Sequence, residues 1–236
     1  MVAQLDAIIL AGGRGTRLAS ALPDRQKVTA TVAGKPFFCH VLDRLGEAGV
    51  RRVVLATGHR AADVEAAARA YADGRTQVVV STEDKPLGTG GTVRAAALST
   101  RSDPVLVLNG DSIAEIDFAA LLAAHYARGA AATIAVVKAP EPGRFGAVQI
   151  AFDGTVTAFD EKPDGMAEWI NAGVYLFARG ALAAIPAGRP VSLEREVLPL
   201  LVGRGLCAAK FDVPFIDIGT PASLAAADAF FAGERA

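Results

Sequence analysis

A parallel α/β sheet covered by helices on both faces is the fold class this sequence predicts. Three observations carry that reading. Short apolar, β-branched runs recur at Ala7–Leu10, Arg52–Ala56, Gln77–Val80 and Pro104–Leu108, and alanine-rich amphipathic stretches of helical length separate them at Phe37–Ala48, Ala61–Ala72 and Gly90–Ser99. Strands alternating with helices of this length form parallel sheets. The 236 residues are enough for one large α/β domain with a sizeable core.

Each element has its own warrant. A strand buried on both faces reads as a continuous apolar run rather than an alternating one, which fits Ala7–Leu10 and Pro104–Leu108. Pro36 suits a first helical turn, where its fixed φ is useful and its missing N–H is not needed, so it starts the Phe37 helix cleanly. After Asp111 the rhythm loosens. A helix is expected at Phe118–Arg128 and a strand at Ala131–Val137, followed by hairpin-like strands around Ala147–Phe152, Thr155–Asp160 and Ile170–Phe177. Helices at Leu193–Val202 and Pro221–Phe231 flank a strand near Leu206–Asp212. This half reads as mixed sheet and lid added to the first. No internal repeat or low-complexity linker divides the chain, so residues 1–236 are treated as one folding unit with halves of about 1–112 and 113–236.

Composition excludes several classes. With 24 basic and 25 acidic residues the net charge is −1, whereas an extended nucleic-acid surface concentrates positive charge to displace counterions. Hydrophobic residues make up 52%, yet no apolar stretch approaches the roughly 18 to 20 residues a bilayer span needs. Met1–Asp6 carries no basic segment and Ile8–Ala11 is too short for a signal peptide, so a cytoplasmic location is expected. Cys39 and Cys207 sit in apolar settings without metal-ligand spacing and read as packing residues.

Ligands of a parallel sheet bind at the carboxyl ends of its strands, and of five polar islands in the chain four end or interrupt predicted strands. The first, Ala7–Arg17, is an apolar run ending in Gly12, Gly13 and Gly15 interleaved with Arg14 and Arg17. Glycines there let bare backbone N–H groups meet an anion; a plain glycine turn beside a solvated arginine accounts for the same residues. The second holds Lys27 and Val32–Phe37, in which Lys35 reads equally as a ligand or as a solvated lysine. The third, Lys85–Thr92, has three glycines in four positions opening a helix, where negative charge is favoured. In the fourth, Leu106–Asp111, a buried strand delivers a carboxylate, an unfavourable place for an unpaired charge, so Asp111 is expected to coordinate something. Magnesium takes carboxylate and phosphate oxygens together. The fifth comprises Phe159–Pro163, Ile170–Tyr175 and Phe215–Pro221, offering Lys162 as a cation, Asn171 as donor and acceptor, and Asp217 as a second carboxylate. Together, two acids, several cations and two glycine loops describe a metal-assisted phosphoryl or nucleotidyl transfer site. His40, His59 and His125 have no paired nucleophile and read as packing or surface groups. Trp169 and Tyr175, beside a strand, read as core.

In that order the islands resemble the sugar-1-phosphate nucleotidyltransferases, whose opening signature runs Leu-Ala-Gly-Gly-x-Gly-Thr-Arg-Leu followed by Pro-Lys. Leu10–Leu18 matches in full. Gly110-Asp111 resembles the metal-bearing motif, Glu161-Lys162-Pro163 the sugar-phosphate lysine motif, and Asn171-Ala172-Gly173 the sugar-binding strand. The resemblance implies a Rossmann-like three-layer α/β/α fold with a predominantly parallel, mixed central sheet. It implies a nucleoside triphosphate held in the first half by Leu10, Ala11, Gly12, Gly13, Arg14, Gly15, Thr16, Glu83, Pro86, Leu87, Gly88, Thr89, Gly90, Asn109 and Gly110. It places the sugar 1-phosphate in the second half against Gly146, Glu161, Lys162, Asn171, Gly173 and Asp217. Mg2+ is expected on Asp111 and Asp217, and the catalytic set is Arg17, Lys27, Asp111 and Lys162. One departure concerns Lys27: the family's Pro-Lys-Pro-Met run is Gln26-Lys27-Val28-Thr29 here, without the stiffness proline gives.

Within the family, Glu83–Gly91, Arg144-Phe145-Gly146 and Phe215–Pro221 are most similar to the guanylyltransferases of D-glycero-D-manno-heptose 1-phosphate. The expected reaction is therefore GTP plus that sugar phosphate giving GDP-heptose and pyrophosphate. Uridylyl, thymidylyl or mannose-1-phosphate guanylyl transfer to a hexose phosphate is the near alternative, and a nucleotide-sugar sensor without turnover the distant one. Partners are small molecules, with neither nucleic acid nor membrane, and a homo-oligomer stays open.

Overall fold

The computed structural model describes residues 2–13, 26–58, 60–71, 74, 76–138, 143–161 and 167–233. Expectations placed on Arg14, Gly15, Thr16, Arg17, His59 and Lys162 lie outside those residues.

The first half is the alternation expected. β1 (Asp6–Leu10) leads, beyond a 3-10 turn at Lys27–Thr29 and a small hairpin of β2 (Thr31–Val32) and β3 (Lys35–Pro36), to α1 (Phe37–Glu47). Then follow β4 (Arg52–Thr57), α2 (Ala61–Tyr71), β5 (Gln77–Thr82), α3 (Gly88–Ala97) and β6 (Val105–Asn109). Strands β6, β1, β4 and β5 lie side by side in parallel, with Ile8 level with Val107 on one side and Val54 on the other.

The second half extends the same sheet. It contains β7 (Ser112–Ala114), α4 (Phe118–Arg128), β8 (Ala132–Lys138), β9 (Ala147–Ile150), β10 (Val156–Asp160), β11 (Trp169–Phe177), α5 (Arg179–Ala183), α6 (Leu198–Leu201), β12 (Leu206–Phe211), β13 (Phe215–Asp217) and α7 (Pro221–Ala232). The long β11 is the seam. Its carboxyl half runs antiparallel to β6, its amino end touches the β9–β10 hairpin, and β8 flanks it on the other side with β12 beyond. Strands from both halves thus share one sheet.

Strand side chains alternate between faces, and the core divides accordingly. Ile9, Val53, Ala135 and Val137 join α1, α2, α4 and α7 on one face. Ile8, Val54, Ile134 and Val136 join α3, α5 and α6 on the other. The molecule is therefore a three-layer α/β/α sandwich. The ends of α4 follow from local chemistry: the Asp117 carboxylate accepts from the N–H groups of Ala119 and Ala120 at 2.8 and 3.1 Å, and Gly129 closes it at φ +53°.

Differences from expectation have local causes. The segment expected as one helix over Leu193–Val202 is a π-helical turn at Leu193–Val197 continued by α6, with Pro199 just inside it. The strand expected to reach Phe152 ends at Ile150 in a turn closed by Gly154 N–H on Ala151 O at 3.0 Å. Among the described residues no helix is long and apolar enough to cross a membrane.

Candidate active site

Strand β6 carries Asn109-Gly110-Asp111 past the carboxyl end of the sheet. Gly110 donates its N–H to Leu10 O at 3.0 Å, and a Cβ there would stand 2.6 Å from that same oxygen, so only glycine lets the two strand ends meet. The chain then turns into β7, and β13 pairs with it antiparallel, with Asp217 opposite Ser112. Asp111 and Asp217, remote in sequence, thereby line one cleft of about 150 Å³.

Each carboxylate faces a cation. Lys27 Nζ pairs with Asp111, and Arg144 pairs with Asp217 while donating to Ser223 Oγ at 2.8 Å. The second oxygen of Asp217 accepts the Gly219 N–H at 2.8 Å. The Arg144 guanidinium lies 5.1 Å from the centre of the Phe145 ring, which in turn meets Phe215 edge-on at 5.2 Å. The cleft is thus lined by paired opposite charges with two aromatic rings beside them.

Lys27 is well anchored despite the missing prolines. Gln26, only 1% exposed, donates its amide to Ala11 O at 2.7 Å and accepts the Lys27 N–H at 3.2 Å. The 3-10 turn closes through Thr29 N–H and Thr29 Oγ1, both donating to Gln26 O, and Val28 is buried beneath it. A buried amide with satisfied ends supplies the stiffness that proline supplies elsewhere.

On the opposite wall lie Gly146, Glu161, Asn171 and Gly173. A Cβ at Gly146 would stand 3.0 Å from Glu161 Oε2, and one at Gly173, which has φ +73°, would strike the Asn109 amide at 2.7 Å. Asn171 holds its own wall together: its amide donates to Tyr175 Oη at 2.7 Å and accepts the Gly173 N–H at 2.9 Å. It reaches the cleft with that much of its hydrogen-bonding capacity already engaged.

The Glu83–Gly91 segment lies outside the residues lining this cleft, and its glycines have an internal use. Gly90 and Gly91 donate their N–H groups to Val191 O at 2.9 and 3.3 Å, and a Cβ at Gly88 would stand 2.5 Å from that oxygen. One close approach these glycines permit is to the chain's own backbone at Val191. Glu83 accepts from Leu87 N–H and Thr92 Oγ1 at 3.3 and 2.6 Å, and Thr89 donates to Glu194 at 2.8 Å. A Cβ at Gly12 would stand 3.2 Å from Gly58 N, while one at Gly13 would meet no described atom within 4 Å.

Other readings resolve simply. Lys35 is not at the cleft: it pairs with Asp43 and donates to Tyr71 Oη at 3.1 Å, bracing α1 against α2. His40 donates its Nε2–H to Val32 O at 2.9 Å and stacks 3.8 Å from Phe231; His125 meets Thr133 Oγ1 at 2.9 Å. Burial pushes the Cys39 thiol up to about 12 and raises that of Cys207, so both are inert packing groups. Tyr175 is fully buried core. Sequence reasoning assigned no role to Ser112, Arg144, Glu194, Phe215 or Gly219, which also line the cleft. Arg144, Phe215 and Gly219 lie in segments that resemble the family, whereas Ser112 and Glu194 carry no sequence signal.

A divalent cation fits this donor set. Magnesium is held by one or two carboxylates with phosphate oxygens and waters completing its shell, and Asp111 and Asp217 are hard oxygen donors whose side chains are 33% and 15% exposed. No cluster of three or more acidic, histidine or cysteine side chains suited to a metal occurs among the described residues. Substrate oxygens would have to complete the shell.

The sequence pattern of the nucleotidyl transferase family matches residues 6–234. The chain belongs to that family. Among its relatives is the mannose-1-phosphate guanylyltransferase of Mycobacterium tuberculosis, 39% identical over 225 residues that cover 92% of this chain and 62% of that protein. The mannose-1-phosphate guanylyltransferase catalytic subunit beta of Drosophila pseudoobscura pseudoobscura is 37% identical, covering 91% and 59% respectively. This nucleotidyl transferase chain therefore spans about 60% of the length of these relatives. Its fold matches the crystal structure of HddC from Yersinia pseudotuberculosis with a TM-score of 0.84 and 28% identity, over 96% of this chain and 99% of that one. HddC has also been crystallised with GMP-PN, at the same similarity.

Proposed function

We propose that this chain transfers a nucleotidyl group from a nucleoside triphosphate to a sugar 1-phosphate, releasing pyrophosphate. The observation that carries the reading is the meeting of Asp111 and Asp217, each with its own cation, in one cleft of a nucleotidyl transferase family member.

A phosphate oxygen of the sugar 1-phosphate attacks the α-phosphorus, a new oxygen–phosphorus bond forms, and the α–β bridge breaks to free pyrophosphate. The attacking group is anionic at neutral pH and needs no base. The obstacle is repulsion between two polyanions, so the chain's task is placement and charge. Lys27, fixed by Gln26, serves the triphosphate together with Arg17 and the backbone amides around Gly12 to Gly15. Lys162 orients the attacking phosphate, and Glu161, Asn171 and the backbone at Gly146 and Gly173 receive the sugar. Mg2+ on Asp111 and Asp217 supplies further positive charge against the phosphates.

GTP is the proposed donor: both relatives named above are guanylyltransferases, and HddC was crystallised with a guanine nucleotide. The proposed acceptor is a manno-configured sugar 1-phosphate, either mannose 1-phosphate or D-glycero-D-manno-heptose 1-phosphate. The relatives favour the first, and the motifs at Arg144–Gly146 and Phe215–Pro221 favour the second. Pyrophosphate release is measured with GTP, UTP, dTTP, CTP and ATP against mannose, heptose and glucose 1-phosphates. Release with GTP and a manno-configured acceptor is expected. Release only with UTP or dTTP and glucose 1-phosphate overturns the donor and acceptor, and tight binding without any release favours the sensor.

A further inference from the structure

We infer that Arg144 is an exchange partner: Asp217 holds it in the resting cleft, and it passes to the phosphate of the acceptor when a divalent cation takes that carboxylate. This rests on the function proposed above and assigns the step to a residue outside the expected catalytic set.

Three features point there. The Arg144 and Asp217 side chains are only 18% and 15% exposed, so parting these two charges is costly unless another opposite charge takes the place of each. One Asp217 oxygen is fixed by the Gly219 N–H, and the other is the one Arg144 occupies. A cation that binds Asp217 there meets Arg144 first. The guanidinium also rests on the Phe145 face and on Ser223 Oγ, contacts that can keep it in the cleft while its anion changes. Gly146, expected on the acceptor side, follows two positions later in the chain. A planar, permanently charged guanidinium donates to phosphate as it does to carboxylate, and its fork can engage two phosphate oxygens at once.

The consequence is a coupling. A divalent cation arriving alone must break the Arg144–Asp217 pair, and so must an acceptor phosphate arriving alone. When both arrive the pair is broken once. Each ligand therefore tightens the other, by a factor within the usual range of about 5 to 150, and the effect is reciprocal. Because the pair is shielded from solvent, the coupling exceeds what an exposed pair could give.

The test is Mn2+ binding, read from the free-ion electron paramagnetic resonance signal, with and without mannose 1-phosphate and with no nucleotide present. In the wild type the sugar phosphate is expected to tighten Mn2+ binding about tenfold. In Arg144→Gln, Mn2+ alone is expected to bind about tenfold more tightly than to the wild type, with no further response to mannose 1-phosphate. Arg144→Lys, which keeps the charge but not the fork, should fall between. Wild-type Mn2+ affinity indifferent to mannose 1-phosphate overturns the inference, and this arm needs no variant to fold. Unchanged Mn2+ affinity in a folded Arg144→Gln protein overturns it as well. Pyrophosphate release in the wild type without coupling sinks the exchange alone; coupling without release under any donor supports the exchange and sinks the transfer reaction.

Discussion

The backbone N–H of Ile218 donates to the carbonyl oxygen of Asp111 at 2.9 Å, one residue beyond the point where Asp217 stands opposite Ser112. A short ribbon of β7 and β13 thus sets the separation of the two acids by backbone bonds, independently of their side chains. Substitution of either carboxylate should leave this frame standing.

Asp111→Ala and Asp217→Ala are accordingly expected to lower kcat by at least about 100-fold with unchanged far-ultraviolet circular dichroism, the scale at which charge-placing groups contribute. Wild-type turnover in either folded variant removes that residue from the site.

Gln26→Ala unties both Ala11 O and Lys27 N–H while leaving a buried acceptor unpaired, a loss of about 1–3 kcal/mol. Because Lys27 serves the triphosphate, the donor KM should rise more than the acceptor KM. Gln26→Glu, which keeps the acceptor for Lys27 N–H but not the donor to Ala11, should not restore the wild type. Equal changes in both KM values would show that Gln26 acts on the fold alone.

Gly88→Ala places a Cβ 2.5 Å from Val191 O at a residue with φ +68°. The left-handed backbone and the clash with main chain together are expected to cost about 2–4 kcal/mol, read as a lower urea midpoint. A midpoint within error of the wild type would mean that the Val191 segment yields freely.

His40 and His125 both hold their pKa below the ordinary 6.5, chiefly through burial; Val32 O, Asp43 and Asp228 pull His40 upward against it and Lys35 lowers it further, while Asp103 pulls His125 upward. The unfolded chain therefore binds protons first as pH falls below 6.5. Stability present above that pH is lost as pH drops toward the folded values. Melting temperature should decline between about pH 7 and pH 5.5, and His125→Asn, which can keep the contact to Thr133, should decline less. A flat wild-type profile contradicts this.

The parallel half of the sheet was legible because runs such as Ala7–Leu10 and Val105–Asn109 are buried on both faces and carry no alternation to misread. So was the convergence on strand ends, since a carboxylate after Leu106–Leu108 has few other uses. What sequence could not show was set by contacts between distant segments. Gly88, Gly90 and Gly91 gave no sign that Val191 packs against them, because a glycine is the same letter whatever approaches it. The strands β7 and β13, three residues each, are too short for any periodicity. Glu194 reaches the cleft from a π-helical turn that no local pattern announced.

The most direct test is Mg2+-dependent pyrophosphate release from GTP and mannose 1-phosphate or its heptose counterpart, comparing the wild type with Asp217→Asn. Release by the wild type, abolished in a folded Asp217→Asn protein and absent without the divalent cation, is the predicted result. Release of equal rate by both proteins would place the chemistry elsewhere than at the Asp111 and Asp217 cleft.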